Sequence, residues 1–257
     1  MTDDIYIKDF LASRIISFKN QVEGYDNIYY KTTEDLIDLL DIDFYDKDVL
    51  TVLASSDQLL TARYLEARKV DAFDMNRLTL YYYYLRIWTL KYTDCLYPQV
   101  LDNNKWLKEL ISKVKPSSFI EERVIEFYKN HIIKKTNFYN LFYDLSRQPE
   151  GKTIFTKREE LIDCLDTKLD FYLFNLFGNL YIKNTYDILL ISNILDWARN
   201  DPKKLEIAKN NIYKLLNKDG IVVCTGLVNR DLDKERDIFQ DMFIYEKLDK
   251  SYTYIKK

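Results

Sequence analysis

Glycine and proline are scarce in this chain, which has 5 and 4 of them in 257 residues. Average usage puts glycine near ~7%, so glycine-rich, collagen-like and Pro/Gly low-complexity classes are excluded. Histidine is scarcer still. With His131 alone, a Ser-His-Asp or Cys-His relay has one base to draw on, and the stretch from Glu121 to His131 reads as an exposed amphipathic helix without a nucleophile motif. Cys95, Cys164 and Cys224 are odd in number and widely spaced. They suggest neither a disulfide framework nor a zinc site, and they fit a reducing compartment. Charge of one sign is lacking too: 38 basic against 41 acidic residues leave −3, no global field to gather nucleic acid or an anionic membrane. The start Met1-Thr2-Asp3-Asp4 is acidic where a secretion signal is basic, and no apolar run nears the ~20 residues of a membrane span. The expectation is a cytoplasmic protein without a transmembrane segment.

What is present is ample material for a core. Hydrophobic residues make up 47% of the chain, with 22 Tyr and 14 Phe, enough for one large domain. Part of the tyrosine reflects the drift of an AT-rich composition. Phe10, Leu11, Ile15, Ile16 and Phe18 recur at helical spacing, which predicts a helix over 5–20, and Gly24-Tyr25-Asp26-Asn27 breaks it. Thr33-Glu34-Asp35 precedes Leu36, Ile37, Leu39 and Leu40, a hydroxyl and two acids suited to a helix start. Residues 1–47 are expected to form an N-terminal helical cap.

From Asp48 an alternating α/β pattern sets in. Val49-Leu50-Thr51-Val52-Leu53-Ala54 is a continuous β-prone run, which suits a strand buried on both faces. Leu59, Leu60, Ala62 and Leu65 follow at helical spacing, then Val70-Asp71-Ala72-Phe73-Asp74 as a second strand. A helix is expected from Leu78 to Tyr92, its apolar face in the core and the remaining members of Tyr81-Tyr82-Tyr83-Tyr84 at the surface, with a base-stacking platform as the less favoured reading, since four consecutive residues point all round a helix and form no single face. The middle, 98–167, reads as a helical insertion with helices near 105–113, 120–133 and 157–165. Its lysines Lys105, Lys108, Lys113, Lys115, Lys129, Lys134 and Lys135 are expected on solvated faces, with an anionic-substrate site as the other reading.

The pattern then resumes with strands over 169–174 and 186–192. Asp201-Pro202 opens a helix that Lys218-Asp219-Gly220 stops, Ile221-Val222-Val223-Cys224-Thr225 is a further strand, and Phe243-Ile244-Tyr245 with Tyr252-Thr253-Tyr254-Ile255 predicts a closing antiparallel pair. The whole reads as a doubly wound, mostly parallel α/β sheet, with residues 48–257 as one unit.

In such sheets ligands bind beyond the carboxyl ends of the strands. The first end is Ala54-Ser55-Ser56-Asp57, small residues entering a helix N-terminus, where backbone amides are open to a carboxylate or a ribose. About 20 residues on, Asp74 stands where a nucleotide-type fold puts the acid that accepts from ribose hydroxyls. The bland account is that Ser55 and Asp57 cap a helix and Asp74 ends a strand. Asn175 and Ser192-Asn193-Ile194-Leu195-Asp196-Trp197 follow the later strands; Asp196 is also a helix cap by this reading, and Trp197 a core anchor.

These residues carry a resemblance. Val49 to Leu90, with Ser55-Ser56-Asp57-Gln58, Phe73-Asp74-Met75-Asn76 and Tyr81, Tyr82 before Leu85-Arg86, resembles the S-adenosylmethionine-binding half of class I methyltransferase-fold proteins. It is similar in particular to an uncharacterised bacterial branch related to the S-adenosylmethionine:diacylglycerol 3-amino-3-carboxypropyltransferases. Tyr186 to Asp196 and Gly220-Ile221-Val222-Val223 resemble the later strands of that Rossmann-like fold, so about two thirds of the chain is covered. The resemblance implies S-adenosylmethionine as cofactor, with Ala54, Ser55, Ser56 and Asp57 at its methionine end, Asp74 at the ribose, and Met75 and Asn76 at the adenosine edge. It puts Asn175 at the adenine and Ser192 and Asn193 on the reaction side. Candidates for a catalytic role are Asp57, Asn193 and Asp196.

Tyr30, Thr32 and Thr33 are expected to reach over the cofactor, with capping an equal account of Thr33. The implied acceptor is a small or lipid-like molecule, with no specific nucleic acid or metal; the oligomeric state stays open. The family's first turn is glycine-rich, whereas Leu53 and Ser56 stand at expected glycine positions and Glu66 at the one before the second strand. Serine suits position 56 only if its φ is not positive. Three chemistries share this cofactor half: methyl transfer, aminocarboxypropyl transfer and lysis. The alternative is a degenerate, non-catalytic binding or scaffold protein.

Overall fold

The computed structural model describes residues 28–99, 104–133, 152–165, 169–198, 201–225, 243–247 and 251–256. The helix expected over 5–20, the break at 24–27, Lys134 and Lys135 lie outside them. The strands are β1 (Asp48–Val52), β2 (Lys69–Asp74), β3 (Phe171–Leu173), β4 (Tyr186–Leu190), β5 (Leu216–Thr225), β6 (Phe243–Lys247) and β7 (Ser251–Lys256). The helices are α1 (Asp57–Tyr64), α2 (Leu78–Tyr92), α3 (Lys105–Lys113), α4 (Phe119–Ile133), α5 (Glu159–Ile162) and α6 (Pro202–Leu215). One seven-stranded sheet runs in the order β3-β2-β1-β4-β5-β7-β6. The first five strands are mutually parallel, and β7 enters antiparallel between β5 and β6. This is the expected doubly wound α/β sheet of Rossmann-like, methyltransferase-type topology, and its winding reverses between β1 and β4.

The unbroken apolar strands follow from burial on both faces. Val49 and Leu53 face one core together with Ile188, Leu190 and Val223, under α1 and α2. Leu50 and Val52 face the other with Leu189, Val222 and Cys224, where Leu205, Ala208, Ile212 and Leu215 of α6 cover them. Asp201 accepts from the Lys204 amide with Pro202 in the first turn of α6, the cap its sequence predicts.

Three expectations need correction. The four tyrosines of α2 are all buried, Tyr82 and Tyr83 completely. The reason is that α2 is not a surface helix: α3, α4 and α5 pack around it, and its hydroxyls find partners, Tyr82 donating to the Tyr30 carbonyl and Tyr83 accepting from Arg63. Thr33 opens no helix. The next helical turn is the short 3-10 segment Ile37–Asp41, entered from Leu36 without a side-chain cap. Lys218-Asp219-Gly220 does not stop α6, which ends at Leu215; these residues lie inside β5. There the pairing with β4 shifts register, and Asp219 takes a φ of 62°. Gly220 is required at this bulge, because a Cβ would stand 3.0 Å from the Asn217 carbonyl and 3.2 Å from that of Asp187. Of the middle lysines, Lys105, Lys108, Lys113, Lys115 and Lys129 are exposed, as solvated helix faces require. No helix among the described residues is long and apolar enough to cross a membrane.

Candidate active site

A cavity with about 1040 Å³ of non-protein space, partly open to solvent, lies beyond the carboxyl ends of β1, β2, β3 and β4. That is the crevice where an open α/β sheet binds ligands. Leu53, Ala54 and Ser55 after β1 line it, as do Asp74, Met75 and Asn76 after β2, Phe174 and Asn175 after β3, and Ser192 and Asn193 after β4. A strap of the N-terminal segment, Tyr29 and Lys31 to Glu34, completes the wall.

Each turn is held differently. After β2 the carboxylate of Asp74 accepts from the Asn76 amide at 2.8 Å and, across to the first turn, from the Ala54 amide at 3.0 Å. Asn76 accepts from the Leu78 amide and so starts α2. Burial raises the Asp74 carboxyl from 3.8 to about 6, against the lowering pull of the Asn76 and Ala54 amides. Asn175 is exposed and its side-chain oxygen accepts from the Phe177 amide. Met75 is exposed at the rim and Trp197, which is no core anchor, stands 57% exposed on the same cavity.

The first turn departs from its expected use. Ser56 and Asp57 do not line the cavity; both are fully buried behind it. Asp57 sits there because its carboxylate is occupied: it accepts from the Thr32 amide at 2.8 Å and the Ser55 hydroxyl at 2.9 Å. Its other oxygen takes Arg86 at 3.1 Å and the Tyr97 hydroxyl at 2.9 Å. Arg86 is itself fully buried and stacks on the Tyr97 ring at 3.6 Å. Burial, reinforced by Asp57, pushes the Tyr97 phenol up, so it stays a proton donor. Asp57 is thus an internal strut and has no access to a ligand. Ser56 takes a φ of 72°, the left-handed region that its sequence argument needed it to avoid, and its hydroxyl has no hydrogen-bond partner. Ala54 (φ 37°), Glu66 (φ 64°) and Ser192 (φ 56°) are left-handed as well, whereas Leu53 is not among these positive-φ positions. The glycine conformations are therefore adopted without glycine, at a cost of about 1–2 kcal/mol each.

Asn193 lines the cavity beside Ser192, whose hydroxyl donates to Glu34. Asp196 falls in the 3-10 turn Ile194–Ala198, and its side chain lies outside the described residues. Thr32 and Thr33 line the cavity as expected of the strap; Tyr30 points away and donates to the Pro98 carbonyl, with burial holding its phenol at about 12. Sequence reasoning missed Glu34 and Gln58. Glu34 reads as a helix-start acid, and its partners lie 24 and 158 residues away, a distance that leaves no local signal.

Fold and site together define the class: a Rossmann-like α/β protein of methyltransferase-type topology with a ligand cavity at the switch point of its sheet. No protein-family model and no curated protein matches the chain. Among solved structures it is similar to a ribosomal protein L11 methylase from Lactobacillus delbrueckii subsp. bulgaricus (12% identity, 86% of this chain and 75% of that one, TM-score 0.41). It is also similar to the N-methyltransferase NodS from Bradyrhizobium japonicum WM9 (9%, 85% and 92%, 0.39) and to a TehB-like SAM-dependent methyltransferase from Corynebacterium glutamicum (11%, 100% and 98%, 0.38). The strand order, rather than these distant likenesses, defines the fold class.

Proposed function

We propose that this protein is an S-adenosylmethionine-dependent transferase acting on a small or lipid-like acceptor. The observation that carries the reading is the carboxylate of Asp74. It lies at the end of β2, on a cavity at the sheet's switch point, and its two backbone donors hold it in place. A ribose diol offers two donors to such a carboxylate. The residues fit the rest of the ligand too. Phe174 and Leu176 give an apolar slot beside Asn175 for a purine, and Leu53, Ala54, Ser55, Ser192 and Asn193 surround the place of the amino-acid end.

The cofactor supplies an electrophilic carbon next to its sulfonium. The chain's own part is orientation of the reacting groups and exclusion of water. Asp57 drops out as a general base because it is buried and bound to Arg86; Asn193 remains on the reaction side as a polar orienting group. Methyl transfer, the aminocarboxypropyl transfer suggested by the resembling bacterial branch, and lysis differ in product: S-adenosylhomocysteine, methylthioadenosine, or methylthioadenosine with a lactone. The scaffold reading draws on the missing glycines, but the first turn closes without them, so their loss is no reason for a blocked site.

Titration calorimetry tests the reading. The wild type is expected to bind S-adenosylmethionine, and Asp74→Ala to stay folded while losing about 10-fold or more in affinity, the loss of a charge-assisted hydrogen-bond pair. A folded wild type without measurable binding, or an Asp74→Ala variant that binds unchanged, overturns it.

A further inference from the structure

We infer that Lys31, on the N-terminal strap, is the cation that receives the carboxylate at the amino-acid end of the bound ligand. This rests on the S-adenosylmethionine reading above. Among the described residues that line the cavity, the charged ones are Asp74, Glu34 and Lys31. The two acids repel a ligand carboxylate, so the wall offers it one place of opposite charge. Lys31 is exposed and enters no ion pair with a described residue. Its ammonium stands over the Tyr97 ring at 4.9 Å from the centroid and over the Tyr30 ring at 5.8 Å. An ammonium carries three N–H donors. Ring faces steady it from one side and leave the other side to an anion.

The position of this side chain matches the need of the turn beside it. Lys31 immediately precedes Thr32, whose amide donates to Asp57 at the start of α1, and Tyr97 donates its hydroxyl to the same carboxylate. The strap thus brings Lys31 to the turn after β1, where Leu53, Ala54 and Ser55 line the cavity at the place of the amino-acid end. A helix N-terminus holds a carboxylate with its free amides, but several donors of this turn are already committed. The Ala54 amide donates to Asp74, the Ser56 amide to the Leu53 carbonyl at 2.6 Å, and the Ser55 hydroxyl to Asp57. After β4 the Ser192 hydroxyl donates to Glu34. A carboxylate that enters such a wall gives up water for few donors in return, and a charged donor offsets that loss. Asp57 leaves Lys31 to the ligand, because Arg86 and Tyr97 already occupy it. The strap is on this account a component of the site, and Asp57 positions it from behind.

Calorimetry with S-adenosylhomocysteine and its decarboxylated analogue, which keeps the amine and lacks the carboxylate, decides the matter. The analogue carries the more positive charge and is favoured beside Asp74 and Glu34, so a preference for the intact ligand requires a cation at the carboxylate. The wild type is expected to prefer S-adenosylhomocysteine by about 10-fold. Lys31→Gln loses that preference while binding the analogue at least as well as the wild type does, and Asp74→Ala weakens both ligands by a similar factor and keeps it. Lys31→Met, which also removes the charge, gives the same loss and serves if the glutamine variant does not fold. A wild type that binds both ligands equally, or the analogue more tightly, overturns the inference alone, as does a preference unchanged in either Lys31 variant. A folded wild type that binds neither ligand overturns the transferase reading and this inference with it.

Discussion

The turns after β1 and β2 form adjoining walls of one cavity by opposite means. After β2 the chain holds itself: Asp74 accepts from Asn76 two residues on, and Asn76 from Leu78 two residues further. After β1 the chain is held from outside, by Thr32 of the strap, Arg86 of α2 and Tyr97 beyond it, all converging on Asp57. Two residues between these anchors, Ala54 and Ser56, take left-handed backbone conformations. A turn whose residues satisfy one another needs no help from the rest of the molecule. A turn with strained residues persists only where its surroundings over-determine it, and here the surroundings are a buried ion pair.

The largest break in this comparison comes from that pair. Asp57→Ala strands a fully buried guanidinium, and Arg86→Leu strands the carboxylate; each is expected to cost about 3–5 kcal/mol, read as a lower midpoint in urea. A loss under about 1 kcal/mol would show that the first turn holds itself after all.

The second break uses pH. With the Asp74 carboxyl at about 6 in the folded chain, against 3.8 ordinarily, the group takes up its proton as pH falls from 7 to 5 and can no longer accept from two hydroxyls. Affinity for S-adenosylmethionine should fall below pH 6 by up to ~10-fold per unit. Stability moves the other way. A raised carboxyl pKa disfavours the folded state above pH 6, and that penalty fades as pH drops toward 4. Affinity that is level between pH 7 and 5 would exclude Asp74 as the acceptor.

Asn76→Ala tests the self-held turn and should cost about 1 kcal/mol, the value of a lost cap, with α2 otherwise intact. The smallest effect has the opposite sign. Glu66→Gly and Ser56→Gly relieve left-handed strain, the latter also removing a buried hydroxyl without a partner, and each should gain about 0.5–1 kcal/mol after the larger unfolded-state freedom of glycine is subtracted. Thermal melts that show no gain at either position would mean that neither backbone is strained.

How much of the site was legible follows the same division. Asp74, Met75 and Asn76 stand out from their spacing after the first strand because the geometry of a β-strand, turn and helix repeats locally. Asp57 stands out equally, in a turn of small residues, yet its role is reversed by Arg86 29 residues away. Glu34 gives no sign of itself, since Gln58 and Ser192 meet it only when strap, first turn and fourth strand converge. The tyrosines of α2 mislead for a related reason: whether a helix has an outer face depends on what else packs on it.

The sequence by itself determined the alternation of strands and helices, the two-sided burial of β1, the cap at Asp201 and the position of the acid after β2, because each follows from periodicity and hydrogen bonds within a few residues. Only the tertiary structure decided which carboxylates meet the cavity. Asp57 is turned inward by a buried cation and Glu34 is carried in by the strap, since the partners that fix a charged side chain are chosen by packing and not by neighbours in the chain.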